Sequence, residues 1–542
     1  MQAEVVATRD VVILGGGLAG LTLALQLRKQ VPDLSIRIIE RRAHPVPEAA
    51  FKVGESTVEI GAHYFANVLG LHDHLTDAHI RKFGFRFFFS DRSPRIDRCT
   101  ELGVSRLLPT PSWQIDRGRF ENFLGERVRA QGIEFVDGAS VRAIELAEDG
   151  ALHRVRYQHR EDIVEVEARW VVDAAGRAGL IKRKLGLALG NDHDVNSCWW
   201  RVEGFVDPRD WSDDPAWLER CDPPDRWRST NHLCGEGYWL WMIPLGSHAH
   251  SIGIVADEAA HPLASINSHD KAMAWLREHQ PQLAASLDSP GHAVLDFMFL
   301  RHFSHDCAQV YSAHRWAITG EAGMFLDPFY SPGSDFIAIS NTFVADLIAR
   351  DRAGESFAPY AELYQQLLRS FYDNTMTLYR GQYPLFGNAR VMPVKVIWDY
   401  TYYWAVLAPL YISGRITALP VLGRLRPQFE RARALNDAMQ PLLRAWGELD
   451  TYGIREDGRL LDQYILPWFH EMNRSLHDKL DDAAFVERIA GNTGLMERLA
   501  HEIHAQVRAR HPQIDDHGLG ALLEGVEPGE AMLTPAWYAP ES

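Results

Sequence analysis

The residues with the plainest chemical capacity stand near the start of the chain. Gly15, Gly17 and Gly20 follow the apolar run Val11, Val12, Ile13, Leu14 in GxGxxG spacing. In a strand–turn–helix unit the first glycine permits the tight turn. The second lets the backbone approach a pyrophosphate, and the third lets the helix pack close to the strand. A helix over 18–29 would aim its N-terminal amides at those phosphates. A second strand over 35–39 ends at Glu40, about twenty residues past the glycines, where a carboxylate holds a ribose 2′-hydroxyl. An acid there selects an unphosphorylated ribose, hence FAD or NAD over NADP.

Two later groups add to this. Trp239 and Trp241 are two apart and precede Pro244, so on a strand the two indoles share one face. Such a lining excludes water from a flavin ring. The loop 320–334 carries Asp327, Tyr330, Ser331 and Gly333 ahead of a helix, so its amides can meet an anion. His470 and Glu471, and His501, Glu502 and His504, are fragments of a metal motif, but neither completes HExxH. They read as solvated helical residues, and no metal site is expected.

These groups need elements to hold them. Gly54, Ser56 and Thr57, in the run from Phe51 to Ile60, read as a turn opening a helix that continues over 62–75. Residues 80–89 read as one strand, 92–108 as irregular, and 113–133 as helical, beginning near Asp116 and Arg117. A meander of strands follows at 134–135, 141–148, 152–157 and 163–168, with a further apolar segment at 170–173. After a turn at 174–177 and a short helix at 180–185, strands are expected at 198–205, 239–243, 250–255 and 316–319. Helices are expected at 270–287 and 336–350. Beyond 357 the pattern is helical: 359–379, 393–411, 425–450, 476–490 and 492–510, with Pro441 breaking the third. Residues 515–542 read as a partly ordered tail.

Bulk properties bound the class. A chain of 542 residues is too long for one core. A formal net charge of -16 disfavours nucleic acid and anionic membranes as partners. Five scattered cysteines without a CxxC fit a reducing compartment. No signal-peptide core and no apolar run of membrane-spanning length is present, so a cytoplasmic enzyme is the expectation. No second glycine loop for a nicotinamide cofactor is apparent.

With these residues in hand, the sequence resembles the flavin-dependent halogenases over roughly 8–415. GYWLWMIPL, with Trp239, Trp241, Ile243 and Pro244, fits the family's WxWxIP. FLDPFYSPG, with Phe325, Pro328, Ser331 and Gly333, fits FxxPxxSxG. GEST at 54–57 and DAAGR at 173–177 also look like family features. The helical region with YYWAVLAP at 402–409 is closer to the pyrrole and phenol branches. The resemblance implies an α/β, flavin monooxygenase-like fold of FAD-binding Rossmann type, with a mixed-sheet substrate region and a helical C-terminal extension. The expected division is 1–197 FAD-binding with an inserted meander, 198–315 substrate region, 316–355 return to the FAD-binding region, and 356–542 helical.

The resemblance also implies an activity. Reduced FAD from a separate reductase reacts with oxygen to a C4a-hydroperoxide, which oxidises chloride or bromide to a hypohalous acid. Lys82, in RKFGFRF after the GEST run, looks like the catalytic lysine. Its ammonium polarises the acid, or its neutral amine forms a haloamine. On a strand Lys82 points opposite to Arg81, and one of the two should be buried. Gly15, Gly17, Gly20, Glu40, Ser56, Thr57, Arg117 and Asp327 would bind FAD, and Ser331 and Gly333 the halide. Trp239, Trp241, Pro244 and Tyr330 would line the flavin or substrate.

Two departures bear on the substrate. Tyr330 stands where the tryptophan halogenases carry a glutamate, which points to a ring that activates itself: a phenol, pyrrole or aniline. Pro332 removes an amide from the halide turn, and Asp335 would repel an anion if it faced inward. An aromatic hydroxylase is one alternative. A halogenase of carrier-protein-tethered substrates is another. A homodimer is the common prior.

Overall fold

An apolar run without polar alternation belongs in the middle of a parallel sheet, and Val11, Val12, Ile13 and Leu14 are each 0% exposed. The computed structural model describes residues 4–48, 52–89, 95–148, 150–450 and 458–538. Phe51, residues 92–94 and residues 539–542, which the sequence reading placed in a turn, an irregular stretch and a tail, lie outside these. The chain forms two units. One is built from Met1–His79, Ile115–Asp192 and Phe303–Asp373, the other from Ile80–Gln114, His193–His302 and Asn374–Ser542. The second unit thus takes residues 80–114, which the linear division runs into the first region.

The first unit holds a seven-stranded sheet. Strand Glu4–Leu14 lies parallel to Ile36–Ile39 on one side and Asp162–Asp173 on the other. Glu134–Val136 extends the sheet in parallel beyond Ile36–Ile39. The segments expected at 163–168 and 170–173 are one strand with two roles. Its first half runs antiparallel to His153–His159, and its last three residues pair in parallel with Trp316–Ile318. Ala139–Glu145 completes the meander. Helix Leu18–Gln30 packs on helices Arg117–Ala130 and Gly333–Arg352. The expected continuous helix over 62–75 is instead Glu59–His63, a π-helical turn Tyr64–Val68 and, after Gly70 at φ +72°, Leu71 and helix His72–Ala78.

The second unit holds an eight-stranded sheet. Its order is Val294–Leu300, Val195–Glu203, Ala249–Asp257, Tyr238–Leu245, Thr230–Gly235, Phe85–Phe89, Thr100–Gly103, Leu460–Asp462. One face packs Cys198, Trp200, Leu233, Leu240, Met242, Ile252 and Ile254 with Trp275 and Leu276 of helix His269–His279 and with Leu283 and Leu287 of Pro281–Leu287. Those two helices replace the single one expected at 270–287, because Pro281 starts a new helix at a position where its missing N–H costs nothing. The strand expected over 80–89 is also two. Ile80–Arg81 pairs with Trp113–Gln114, and Gly84 at φ +68° turns the chain into Phe85–Phe89. Trp113 and Gln114 are therefore extended, and the helix begins only at Arg117, capped by Asp116.

Within 92–108, expected to be irregular, Thr100–Gly103 is a buried strand. Its Glu101 is 0% exposed and takes hydrogen bonds from Arg86 and Arg226, both also 0% exposed. Strands Val294–Leu300 and Leu460–Asp462 have no counterpart in the sequence reading.

The helical region departs from expectation at Pro441. Leu419–Leu449 is one helix with Pro427 and Pro441 inside it. A proline removes one helical hydrogen bond, a cost of ~3 kcal/mol. Beside it Leu442, Leu443 and Trp446 are fully buried, and Gln440 binds Asp399 and Lys395 of the neighbouring helix at 2.8 and 2.9 Å. The segments expected at 476–490 and 492–510 are likewise a 3₁₀ turn, Ser475–His477, and one helix, Asp482–Arg510. Trp537 and Tyr538 of the expected tail are buried, and Glu502 accepts the Met532 and Leu533 amides. His504 bonds Asp516 at 3.0 Å. Among the described residues no group of three His, Cys, Asp or Glu is placed to hold a metal, and no helix is long and apolar enough to cross a membrane. The five cysteines are buried and none forms a disulfide.

One feature of the first unit sets its response to acid. His79 is 6% exposed, its Nδ1 accepts the Asp116 amide at 3.2 Å, and its Nε2 is buried without a partner. Burial drives its pKa down to about 3, and that of neighbouring His74 to about 4. A histidine depressed in the folded state stabilises the fold above its unfolded pKa of 6.5. That stability drains as pH falls from 6.5 towards the folded value. For His79 alone the loss is roughly 2–3 kcal/mol by pH 4.5. Urea denaturation at pH 7 and pH 4.5 should show it, and His79→Gln should be less stable at pH 7 yet lose less on acidification. An unchanged pH slope in the variant would refute the assignment.

Candidate active site

In the first unit the three glycines face different constraints. Gly15 has φ +111°, and a Cβ there would lie 2.4 Å from the Ala174 carbonyl oxygen. At Gly20 a Cβ would lie 2.0 Å from the Gly15 oxygen. At Gly17 it would meet nothing within 4 Å. Two glycines thus serve the fold, while the third borders open space at the start of helix Leu18–Gln30. Glu40 is fixed beside that turn: its carboxylate accepts the Gly16 amide at 2.6 Å and the Arg42 amide at 2.7 Å. Two amides leave acceptor capacity for ribose hydroxyls. An open cradle at Gly17, a helix N-terminus and an anchored acid fit the pyrophosphate and ribose of FAD.

The GEST turn adds charge to this unit. Ser56 and Thr57 are buried. Arg117 donates to the Val53 carbonyl at 2.5 Å and, at 2.7 Å, to Glu121 one helical turn on. Glu121 is 0% exposed and also pairs with Lys52. Burial, then the cations Arg117 and Arg42, bring the Lys52 ammonium down to about 7. The sequence reading found Arg117 but missed Lys52 and Glu121, whose pairing joins residues far apart in the chain. The DAAGR turn is held by Asp173, which accepts the Ala175 and Ile181 amides at 3.0 and 2.7 Å. Burial raises its carboxyl to about 6.

In the loop before helix Gly333–Arg352, Asp327 is fully buried and accepts the Phe329 amide at 3.0 Å, closing its own turn. Ser331 is left-handed at φ +52°, and its amide donates to the Pro328 carbonyl at 2.9 Å. Pro332 has no amide to give. The donors the turn presents to an anion therefore begin at Gly333, in the first turn of a twenty-residue helix. Asp335 is turned away from this role: its Oδ1 accepts the Gly61 amide at 2.8 Å. Tyr330 is half-buried, edge-on to Phe329 with centroids 4.8 Å apart.

The second unit carries the other candidates. Arg81 is exposed and Lys82 is 4% exposed. Lys82 lies just past the short strand Ile80–Arg81, its amide donating to the Ser112 carbonyl at 2.9 Å. Its ammonium sits 3.3 Å from the centre of the Phe85 ring. Phe85 belongs to the sheet face that also bears Phe87, His232, Trp239 and Trp241. His232 packs on Phe85 at 5.3 Å, on Phe87 at 4.7 Å and on Trp239 at 5.1 Å. The two indoles share that face, 5.7 Å apart. Trp239 donates to the Tyr383 hydroxyl and Trp241 to Ser251, both at 3.1 Å. Trp241 lies flat over Gly253, where a Cβ would come within 2.1 Å of the indole. Pro244 is buried and lies beyond the last pairing of its strand with Thr230–Gly235. His232 and Tyr383 escaped the sequence reading because no motif marks them.

Comparison with known proteins places these features in a family. Residues 8–274 match the family of FAD binding domains. The chain is 28% identical over 453 residues to the flavin-dependent halogenase chlA of Dictyostelium discoideum, covering 78% of this chain and 73% of that protein. It is 24% identical to the 1H-pyrrole-2-carbonyl-[peptidyl-carrier protein] brominase of Pseudoalteromonas luteoviolacea (strain 2ta16), covering 62% of this chain and 77% of that one. Among solved structures the fold is shared with the halogenase PltM in complex with phloroglucinol and FAD. The TM-score is 0.63 at 17% identity, over 95% of this chain and 98% of that one. Brominase Bmp2 aligns at TM-score 0.57 and 22% identity, over 72% and 93%. Over most of its length the chain is thus similar to flavin-dependent halogenases, and over residues 8–274 to FAD binding domains.

Proposed function

We propose that this protein halogenates a free, electron-rich aromatic of phenol, pyrrole or aniline type, using chloride or bromide and FADH2 delivered by a separate reductase. Lys82 presents the oxidised halogen to the ring. The observation that carries this reading is a lysine ammonium held out of water on Phe85, on the face that also bears Trp239 and Trp241. The overlay on PltM, described with phloroglucinol bound, takes in the helical region as well and favours a free phenol over a tethered acyl group. The free thiols suit the cytoplasm. A homodimer remains part of the proposal on general grounds.

In the first unit Gly17 and the amides of helix Leu18–Gln30 hold the pyrophosphate, and Glu40 the adenosine ribose. Arg117, Lys52 and Glu121 fix the adjoining turn. Ser56 and Thr57 belong to that turn, and Asp327 shapes the loop that brings Gly333 to the halide. Bound and reduced, FAD supplies the two-electron chemistry that converts oxygen and halide into oxidised halogen. In the second unit the Lys82 ammonium donates a hydrogen bond to the oxygen of the hypohalous acid, making its halogen more electrophilic. The surrounding rings keep water from competing for it.

The direct test supplies reduced FAD, oxygen and a panel containing phloroglucinol, pyrrole and aniline, with and without bromide, and weighs the products. Brominated product supports the reading, whereas hydroxylated product alone would replace it with an aromatic hydroxylase. Lys82→Ala should lower halogenation by on the order of a hundredfold or more, while flavin oxidation and hydrogen peroxide release persist. Halogenation at the wild-type rate would remove Lys82 from the mechanism.

The glycines separate binding from folding. Gly17→Ala should leave the melting temperature unchanged and weaken FAD binding to the apoprotein by about tenfold or more, ~1.4 kcal/mol. Gly20→Ala should lower the melting temperature by several degrees even without FAD, because its Cβ collides with backbone. Equal effects of the two variants on stability would contradict the assignment.

A further inference from the structure

We propose that His232 is the catalytic base that takes the hydroxyl proton of a phenol substrate as the ring is halogenated, an inference that rests on the halogenase reading above. The imidazole is 1% exposed, on strand Thr230–Gly235. Across the sheet it pairs with Phe87 on one side and Trp241 on the other. Phe85 packs against it at 5.3 Å, and Phe85 is the ring on which the Lys82 ammonium rests. The proton acceptor and the proposed halogen donor are thus placed on one aromatic side chain.

The surroundings make the histidine informative. Phe85, Phe87, Trp239 and Trp241 cannot take up a proton, whereas the imidazole packed among them can. Other titratable groups lie near. Lys82 and Tyr400 pack on Phe85, Tyr383 is bonded to Trp239, and His193 packs on Tyr383. Cys234, two residues along the strand, is held as the thiol by burial. Of these the His232 imidazole, with its unprotonated ring nitrogen, is the acceptor on the same sheet face as Phe85.

The chemistry needs that base. A phenol attacks as its phenolate far faster than as the neutral ring. The O–H bond breaks with its proton passing to His232. The ring carbon ortho or para to the oxygen bonds to the halogen of the hypohalous acid, whose halogen–oxygen bond breaks to release hydroxide. The dienone then loses its ring proton, which converts the hydroxide to water. The imidazolium returns its proton to the product phenolate. Phenol and hypohalous acid have become halophenol and water.

The test compares phloroglucinol with 1,3,5-trimethoxybenzene, an electron-rich ring with no hydroxyl proton, as bromide-dependent substrates of the FAD-loaded protein. His232→Phe should cut kcat on phloroglucinol by at least about thirtyfold and leave the ether within about threefold of wild type. His232→Gln, which keeps a polar side chain should Phe disturb folding, should behave alike, with melting temperature and FAD binding near wild type. The acidic limb of kcat against pH on phloroglucinol should vanish in both variants. An equal loss on both substrates, or an acidic limb that survives, would overturn the base assignment. Wild-type protein that brominates neither substrate would overturn the halogenase reading and this inference with it.

Discussion

Keeping the Lys82 ammonium out of water is the constraint on which the second unit's interior depends. Removing such an ion from water costs several kcal/mol. A desolvated cation–π contact returns only about 2 kcal/mol or more, so the Phe85 ring offsets part of that cost. The backbone on either side of the lysine is held in place. Lys82 sits between two short elements whose backbones are pinned, its own amide to Ser112 and that of Phe83 to Arg228. Gly84 then turns the chain so that Phe85 enters the sheet with its ring under the lysine's ammonium. The strand behind Phe85 is anchored by Arg86, whose guanidinium bonds the buried Glu101, which Arg226 also grips. That triad lies on the opposite side of the strand from Phe85 and Phe87, so the charged anchor and the aromatic lining are kept apart by the alternation of the strand.

The first unit solves a different problem. It has to leave a surface for a polyanion without leaving the fold loose. Gly15 and Gly20 are required by close contacts of the backbone with itself, whereas a Cβ at Gly17 would meet none of the described residues within 4 Å. Cations are supplied in the same economical way. Glu121 gathers Arg117 and Lys52 at the base of the GEST turn, so the two are fixed in place while the group as a whole stays cationic. An acidic chain of net charge -16 can thus present local positive charge where a nucleotide needs it.

What could be read in the sequence was local. The glycine spacing, the acid at Glu40 and the shared face of Trp239 and Trp241 follow from periodicities of a few residues. The choice between Arg81 and Lys82 was readable as a pair but not by member, because an extended backbone buries one of two neighbours without saying which. What could not be read depends on partners distant in sequence. His232 acquires its meaning from Phe85 and Trp239, Glu121 from Lys52, and Glu101 from Arg226. Strand Val294–Leu300 was hidden for the opposite reason: Val294, Leu295, Met298 and Phe299 are substantially exposed on a sheet edge, so its apolar run does not alternate as a half-buried strand should. Pro441 misled because a propensity of ~3 kcal/mol was weighed without the tertiary packing that overrides it.

The loop before helix Gly333–Arg352 shows how position in sequence can mislead about charge. Asp335 stands two residues after Gly333 and, read linearly, is an anion beside an anion's site. In the fold its side chain reaches the neighbouring helix instead. There it accepts the Gly61 amide and ties this helix to Glu59–His63. The same carboxylate that would oppose a halide if it faced the turn instead occupies the helix N-terminus from behind, where a negative charge is favourable. Pro332 then has a structural sense as well. With φ -74° it sets the start of the helix, and its carbonyl accepts the Phe336 amide at 3.0 Å. The donor lost at residue 332 is the condition for a helix that begins at Gly333.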